Sequence, residues 1–391
     1  MTETFRLIRN AETNVVMGEI EGYHSLVTQV FDTCLSVTPG DSVWIDSWDH
    51  TLDLARALES ECVRRGCPRL VTLRYEENWL RSILESSKEQ LQTVTQQATA
   101  ALAEVDFYIF TMGPKSPIPW SSIPKEKREA ISVWLDTRYD KTSYAREWVA
   151  LAKAQRVKML GVEATLATPE RAKGLGLNNG EWRNVMFQGC MADYKEIARK
   201  SKSLTKLLSG KEKVRITTQS GTNLSLTLDR RPLEISDGIA TDQMAMDGKI
   251  TFLPAGSLEV SVDEESAEGR IVYDAPVRLG NEVIENLVIN VKDGRIYQFN
   301  ATRGAKLFEG YMEEGGRDAG RSAFFGLGLN PNLRYGFTQD DKVLGGVTFG
   351  FGSNEVMGGK NVATDQWWAS LMNASVTVDD MAILDRGKLL V

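Results

Sequence analysis

Histidine is almost missing from this sequence. Only His24 and His50 occur among 391 residues, and positions 51–391 contain none. Hydrolytic metal centres and general-base mechanisms rely heavily on imidazole, so its absence weighs against both over most of the chain. Cysteine is sparse as well. Cys34, Cys62, Cys67 and Cys190 form no C-x-x-C pair, and the spacing of Cys62 and Cys67 is not that of a zinc knuckle. So few thiols in so long a chain imply a reduced, cytoplasmic setting. No apolar run reaches the length that spans a bilayer. The Met1 end, with Glu3, Arg6 and Arg9, lacks the apolar core of a signal peptide. Internal repeats and low-complexity segments are absent too.

Positive charge is also in deficit. Forty-six Lys and Arg stand against 53 Asp and Glu, a net charge of −7, which argues against a nucleic-acid groove. The densest basic stretch, 199–213, alternates with apolar residues like a solvated helix face. Apolar content of 42% and charged content of 25% are ordinary for a soluble globular protein, and the length suggests two domains.

The first part of the chain alternates helix and strand patterns. Residues 22–38 carry Tyr23, Val27, Val30, Phe31, Cys34 and Leu35 at helical spacing, stopped by Pro39-Gly40. Strands are expected at 42–46, 70–73, 106–112 and 157–162. Helices are expected at 51–65, 79–86, 88–104, 128–135 and 143–156, with a long, broken one at 182–208. This β-α-β order predicts a doubly wound parallel sheet, in which ligands favour the carboxyl ends of the strands. Asp49 and His50 fall at such an end. No glycine-rich phosphate loop follows that strand, so a dinucleotide site is not expected. After Gly210 the texture changes to short alternating strands with turns such as Ser220-Gly221-Thr222-Asn223 and Lys292-Asp293-Gly294. One helix, 301–314, interrupts, and a hairpin around Asp385-Arg386-Gly387 closes the chain. The expected domains are therefore 1–210, α/β, and 211–391, mostly antiparallel and carrying the pocket.

Glycine and asparagine concentrate in the last third. Leu253-Pro254-Ala255-Gly256-Ser257-Leu258-Glu259, Gly328-Leu329-Asn330-Pro331, Phe349-Gly350-Phe351-Gly352 and Gly358-Gly359-Lys360-Asn361 permit sharp turns and close backbone approach. Together with Met191-Ala192-Asp193-Tyr194 and Gly269-Arg270-Ile271-Val272, these segments resemble the aminopeptidase T type of leucyl-aminopeptidase-like proteins from about Leu26 onward. The resemblance implies a homodimer and two metal ions that activate water to release an N-terminal residue. It also places ligands at positions that here hold Ser257, Phe324, Thr348, Glu355 and Asn373-Ala374-Ser375. Ser, Thr and Asn are poor zinc ligands, so no metal and no other cofactor is expected. A relative of this fold, the 2,5-dihydroxypyridine dioxygenase type, uses a single iron to cleave an aromatic ring. An oxygen-only site drawn from Glu259, Glu355, Asp340, Asp341, Asp379 and Asp380 would suit Mg, Mn or Ca, although such residues at turns are usually solvated.

Four readings follow. The leading one is a diverged, metal-independent hydrolase acting on an amide-like bond of a small molecule or short peptide. Glu259 or Glu355 serves as general base there, and Ser257, Thr348 or Asn373 binds the developing oxyanion. Glu259 lies two residues after Ser257, so on a strand both side chains share one face. Thr348, Asn373, Ser375, Phe324, Trp367, Trp368 and His50 are candidate substrate contacts, with the two tryptophans equally suited to packing a core. The second reading is a non-catalytic binding or scaffold homologue, which a Phe324-filled pocket would favour. The third is a ring-cleaving dioxygenase with an atypical iron site. The fourth is a conventional aminopeptidase whose ligands lie at other positions. No nucleic-acid or membrane partner is expected.

Overall fold

Val43–Trp48 is buried along its whole length, on both faces. Such a strand needs cover on two sides, which a parallel sheet flanked by crossover helices supplies. In the computed structural model, which describes residues 22–133, 135–137, 140–279, 282–364 and 366–390, this strand is β1. It pairs in parallel with β2 (Arg69–Arg74) and β3 (Phe107–Thr111), and β4 (Lys158–Val162) extends the sheet. The chain then forms β5 (Lys213–Thr217) and β6 (Asn223–Ser236) in a second sheet. It returns to add β7 (Ile250–Leu253) beside β4, giving the order β2-β1-β3-β4-β7. Trp44, Tyr108, Phe110, Trp148 and Met159 form the core around this sheet. Among them Asp46 accepts from the Tyr108 hydroxyl at 2.7 Å and the Thr72 hydroxyl at 2.8 Å, and pairs with Arg74.

Two compact units result. One comprises the chain to Lys173, Asn178–Arg183 and Gly238–Pro254; the other comprises Gly174–Leu177, Asn184–Asp237 and Ala255–Val391. The chain therefore passes between units several times rather than once near Gly210. The physical reason is β7, whose Ile250 completes the first core after a detour through the second sheet.

The second unit adds β8 (Ser257–Val262), β9 (Glu268–Val272), β10 (Val277–Leu279), β11 (Glu282–Ile284), β12 (Val288–Lys292) and β13 (Arg295–Asn300). After the helix Ala305–Glu314 come β14 (Ser322–Gly328), β15 (Val347–Gly352), β16 (Gln366–Leu371), β17 (Ser375–Val378), β18 (Met381–Asp385) and β19 (Lys388–Leu389). Ten of these strands join β5 and β6 in one antiparallel sheet, with the path β16-β15-β14-β8-β6-β5-β17-β18-β19, while β10 and β11 pair with each other. The expected fold class, a parallel-sheet unit followed by a mostly antiparallel one, is the one observed. On one face of the sheet Val260, Phe325, Phe349 and Ala369 stand in register across four strands. Phe308 of the helix covers this apolar face, 5.1 Å from the Trp367 ring.

Several element limits differ from the sequence expectation. Among the described residues of 128–135 none beyond Arg128 is helical, because the Asp140 carboxylate accepts from the Ser132 hydroxyl and the Val133 N–H and holds that backbone in an irregular path. The helix expected at 88–104 splits in two, since Thr95 caps a new start by accepting from Ala98 N–H at 3.2 Å. The 22–38 segment is α-helical over His24–Thr28 and widens to π-helix over Gln29–Leu35. The closing hairpin has three strands rather than two. Residues 1–21, including Glu3, Arg6 and Arg9, lie outside the described residues. None of the four cysteines is in a disulfide, and all four are buried. Among the described residues no helix is long and apolar enough to cross a membrane.

One buried ion pair joins distant parts of the second unit. The register of β6 shifts between Leu228 and Leu233, and this bulge turns Arg231 inward. Its guanidinium meets Glu264 through two nitrogens, at 2.7 and 3.0 Å. Asn354 donates to Glu264 at 3.0 Å and to the Ala323 carbonyl at 3.2 Å, and Lys360 N–H donates to Glu264 at 2.7 Å. Burial alone would raise this carboxyl's pKa, but the hydrogen bonds from Arg231, Lys360 and Asn354 win and hold it at about 2. Replacing Glu264 by Gln strands the Arg231 charge in the interior. Urea denaturation should show a loss of about 3–5 kcal/mol; a loss below about 1 kcal/mol would mean the pair is solvated.

Candidate functional site

The face opposite the aromatic core is polar. Glu234, Glu259, Gly326, Thr348 and Ser370 stand in register across β6, β8, β14, β15 and β16. Residues directly opposite in antiparallel strands point the same way, so these five form one row. A neighbouring row holds Ser236, Ser257 and Gly328, and the row on the other side holds Ser261, Phe324, Gly350 and Trp368.

Glycines shape this surface by admitting their neighbours. A Cβ at Gly326 would stand 3.1 Å from Glu259 Cγ and 3.5 Å from Thr348 Cβ, so both side chains close over bare backbone. A Cβ at Gly350 would fall 2.0 Å from the Phe324 ring, which therefore lies flat across that glycine. At the other end a Cβ at Gly328 would strike the Val343 carbonyl at 2.0 Å, because the segment before β15 rests there. The Glu259–Thr348–Ser370 row is thus a trough bounded by Phe324 on one side and the Val343 segment on the other. Within it the Thr348 and Ser370 hydroxyls are hydrogen-bonded at 2.9 Å and buried.

Beside β16 lies a cavity of about 390 Å³ whose lining includes Trp368, Ser370, Tyr311, Arg278, Asp340 and Asp341. Ser370 belongs to both trough and cavity. Trp368 is 38% exposed and meets Phe324 edge-on, with ring centres 6.2 Å apart. Burial pushes the Asp340 carboxyl up to about 6, although it accepts from Gly336 N–H at 2.8 Å.

The predicted site residues divide clearly. Ser257, Glu259, Thr348, Phe324 and Trp368 share the polar face. Trp367 points to the opposite face and stacks on Phe351 at 5.4 Å, within the aromatic core. Glu355 is exposed on the short helix Glu355–Met357 that follows β15. Asn373 is exposed in a left-handed conformation before β17. The Ser375 hydroxyl is engaged in the terminal hairpin, donating to Asp385 and accepting from Arg386 N–H. His50 belongs to the parallel-sheet unit, at the carboxyl end of β1. Burial outweighs the nearby Asp49 carboxylate and lowers its pKa, which keeps the ring neutral. Gly326 and Ser370 were not singled out from sequence; the alternation Gln366, Trp368, Ser370 against Trp367, Ala369, Leu371 is the signal that marks Ser370.

Residues 185–391, more than half of the chain and the whole of this polar face, match the family NicX: 2,5-dihydroxypyridine 5,6-dioxygenase. The chain belongs to the NicX family. Two solved structures share its fold. A 2,5-dihydroxypyridine dioxygenase from Pseudomonas putida KT2440 is 15% identical, with 95% of this chain and 98% of that one covered at a TM-score of 0.61. Wild-type AmpT from Thermus thermophilus is 14% identical, with 96% and 100% covered at a TM-score of 0.63. No curated protein matches the chain.

Among the described residues, the iron that membership of this family implies finds no matching donor set. The positions that the resemblance assigns to metal ligands hold Ser257, Phe324, Thr348, Glu355 and Asn373 to Ser375, and of these Glu355, Asn373 and Ser375 lie off the trough. Among the described residues, no three His, Cys, Asp or Glu side chains come together as a metal site would require. In this NicX-family chain the trough therefore offers hydroxyls, one central carboxylate and two aromatic rings.

The raised pKa of Asp340 has a stability consequence. The folded chain holds this proton more tightly than the unfolded chain, so the contribution is complete below the usual value of 3.8 and lost as pH rises through about 6. Asp340→Asn removes the titration while keeping an oxygen for Gly336 N–H. Its urea midpoint, relative to wild type, should be higher at about pH 7 than at about pH 4. An equal offset at both pH values would place Asp340 in the ordinary carboxylate range.

Proposed function

We propose that this protein binds a small hydroxylated N-heteroaromatic ring of the dihydroxypyridine class in the trough, and does not cleave it by the iron-dependent route. The observation that carries the reading is the Glu259–Gly326–Thr348–Ser370 row, lying inside the segment that matches NicX. Gly326 lets the Glu259 and Thr348 side chains close over its backbone, and Trp368 offers a partly exposed face for stacking. The Ser370 hydroxyl, which lines the cavity and is held by Thr348, can donate to or accept from a ring oxygen. Glu259 is the carboxylate beside Gly326, suited to accept a proton from a ring O–H or N–H. Proton transfer of this kind is the chemistry that the trough's own side chains supply.

The family match supports a ring ligand over the amide-hydrolase reading, because the likeness to AmpT speaks only to the fold. Phe324 supports recognition without cleavage. It occupies the position that the resemblance gives to a metal-binding carboxylate, and its ring fills the space over Gly350.

Tryptophan fluorescence titration with 2,5-dihydroxypyridine tests the binding. Saturable quenching is expected, with Trp368→Ala weakening it by about tenfold through the lost ring contact and Thr348→Val weakening it further than thermal stability changes explain. An oxygen electrode with added Fe(II) tests the chemistry. Oxygen uptake with loss of the ring's ultraviolet band would overturn the non-cleaving half of the proposal. Release of amino acid from short peptides, abolished in Glu259→Gln, would instead restore the hydrolase. Elemental analysis of protein purified without chelator should find iron, zinc and cobalt far below stoichiometric; near-stoichiometric metal would show that a donor set exists despite the substitutions.

A further inference from the structure

The cavity beside β16 contains a charge without a matching partner. Arg278, on β10, is half-buried, and its Nη1 donates to the Leu175 carbonyl at 2.9 Å. A guanidinium has five N–H donors in a planar fork built for carboxylates. Among the described residues Arg278 makes no ion pair, and that single bond to a carbonyl is its hydrogen bond. Burial lowers its pKa, and the Asp340 charge offsets this in part. The Asp340 carboxylate is itself engaged by Gly336 N–H at 2.8 Å. A cationic fork left largely unbonded in a cavity costs free energy that an anionic ligand would recover.

The rest of the lining narrows the ligand further. Trp368 offers its ring, Ser370 a hydroxyl, and Asp340 with Asp341 an acidic side. A simple anion would meet those two carboxylates unfavourably. A ring that carries an acidic substituent and also an N–H or O–H donor would satisfy both ends.

We propose that the cavity selects a hydroxylated pyridine carboxylate, with Arg278 holding the carboxylate, Trp368 stacking on the ring and Asp340 facing its N–H or O–H. This rests on the reading that the protein binds such rings, and it names the substituent that the ligand carries. Arg278 acts here as a specificity residue, separate from the Glu259 row.

A matched pair of probes tests it: 5-hydroxypyridine-2-carboxylate and 2,5-dihydroxypyridine, titrated calorimetrically into wild type, Arg278→Ala and Arg278→Lys. Wild type should bind the acid at least about tenfold more tightly than the neutral ring, the size expected of a charge-assisted hydrogen bond. Arg278→Ala should abolish this preference while leaving the neutral ring's affinity within about twofold. Arg278→Lys should recover part of the preference, since it keeps the charge and loses the fork. Equal affinity of wild type for both probes would overturn the carboxylate inference and leave the ring reading standing. Equal weakening of both probes in Arg278→Ala would make Arg278 a structural support and overturn the inference as well. Failure of both probes to bind wild type would remove the ring reading along with it.

Discussion

The second unit is organised around the buried pairing of Arg231 with Glu264. Arg231 reaches the interior because β6 is bulged, and Glu264 is held ionised by Arg231, Asn354 and the Lys360 N–H together. Neither charge is tolerable in that environment alone. Their union therefore fixes the β6 bulge, the turn after β8 and the loop after β15 in a single arrangement. Asn354 and Ser261 both bond to the Ala323 carbonyl, so the same network sets the start of β14, from which Phe324 projects. Asn361 completes the anchor by donating to the Ser322 and Gly352 carbonyls. The Gly358-Gly359-Lys360-Asn361 segment, which looks like an active-site loop in sequence, is spent on this anchoring.

With that frame fixed, the two faces of β8, β14, β15 and β16 take opposite characters. Bulky residues interdigitate on one, under Phe308, and form an ordinary antiparallel-sheet core. The other alternates glycine with Ser, Thr and Glu, and its glycines let Phe324, Glu259 and the Val343 segment approach the backbone. A trough of this kind needs a rigid floor, because its width is set by strand spacing rather than by side-chain choice. The family's chemistry needs more than a trough, however. Metal activation requires several strong donors aimed at one point, and the positions that the resemblance assigns to ligands here hold Ser257, Phe324, Thr348, Glu355 and Asn373 to Ser375. Family membership by itself does not fix the reaction, as a shared fold permits.

Much of the fold was legible because its signals are local. Helix periodicity, Pro39-Gly40, and the turns at Ser220-Gly221 and Asp293-Gly294 act over a few residues and needed no tertiary context. Errors fell where a side chain elsewhere competed with local propensity, as Asp140 does for 128–135 and Thr95 does for the split helix. Part of the site was legible for a similar reason. Ser257 and Glu259 share a face by the two-residue period of a strand, and both lie on the polar side. Trp367 and Trp368 were indistinguishable by composition, yet adjacent residues of a strand point to opposite faces and so have different fates.

The sequence by itself determined the alternation of faces, the two kinds of sheet and the removal of histidine from everything after His50. These depend on residue type and short-range spacing, which the chain carries wherever it folds. Tertiary structure alone decided which strands stand side by side and in what register. That choice joined Glu259, Gly326, Thr348 and Ser370 from four separate segments, left Glu355, Asn373 and Ser375 outside the row, and set Arg278 in a cavity beside Trp368. Register is fixed by burial of the whole apolar face at once, a collective quantity that no local stretch of sequence contains.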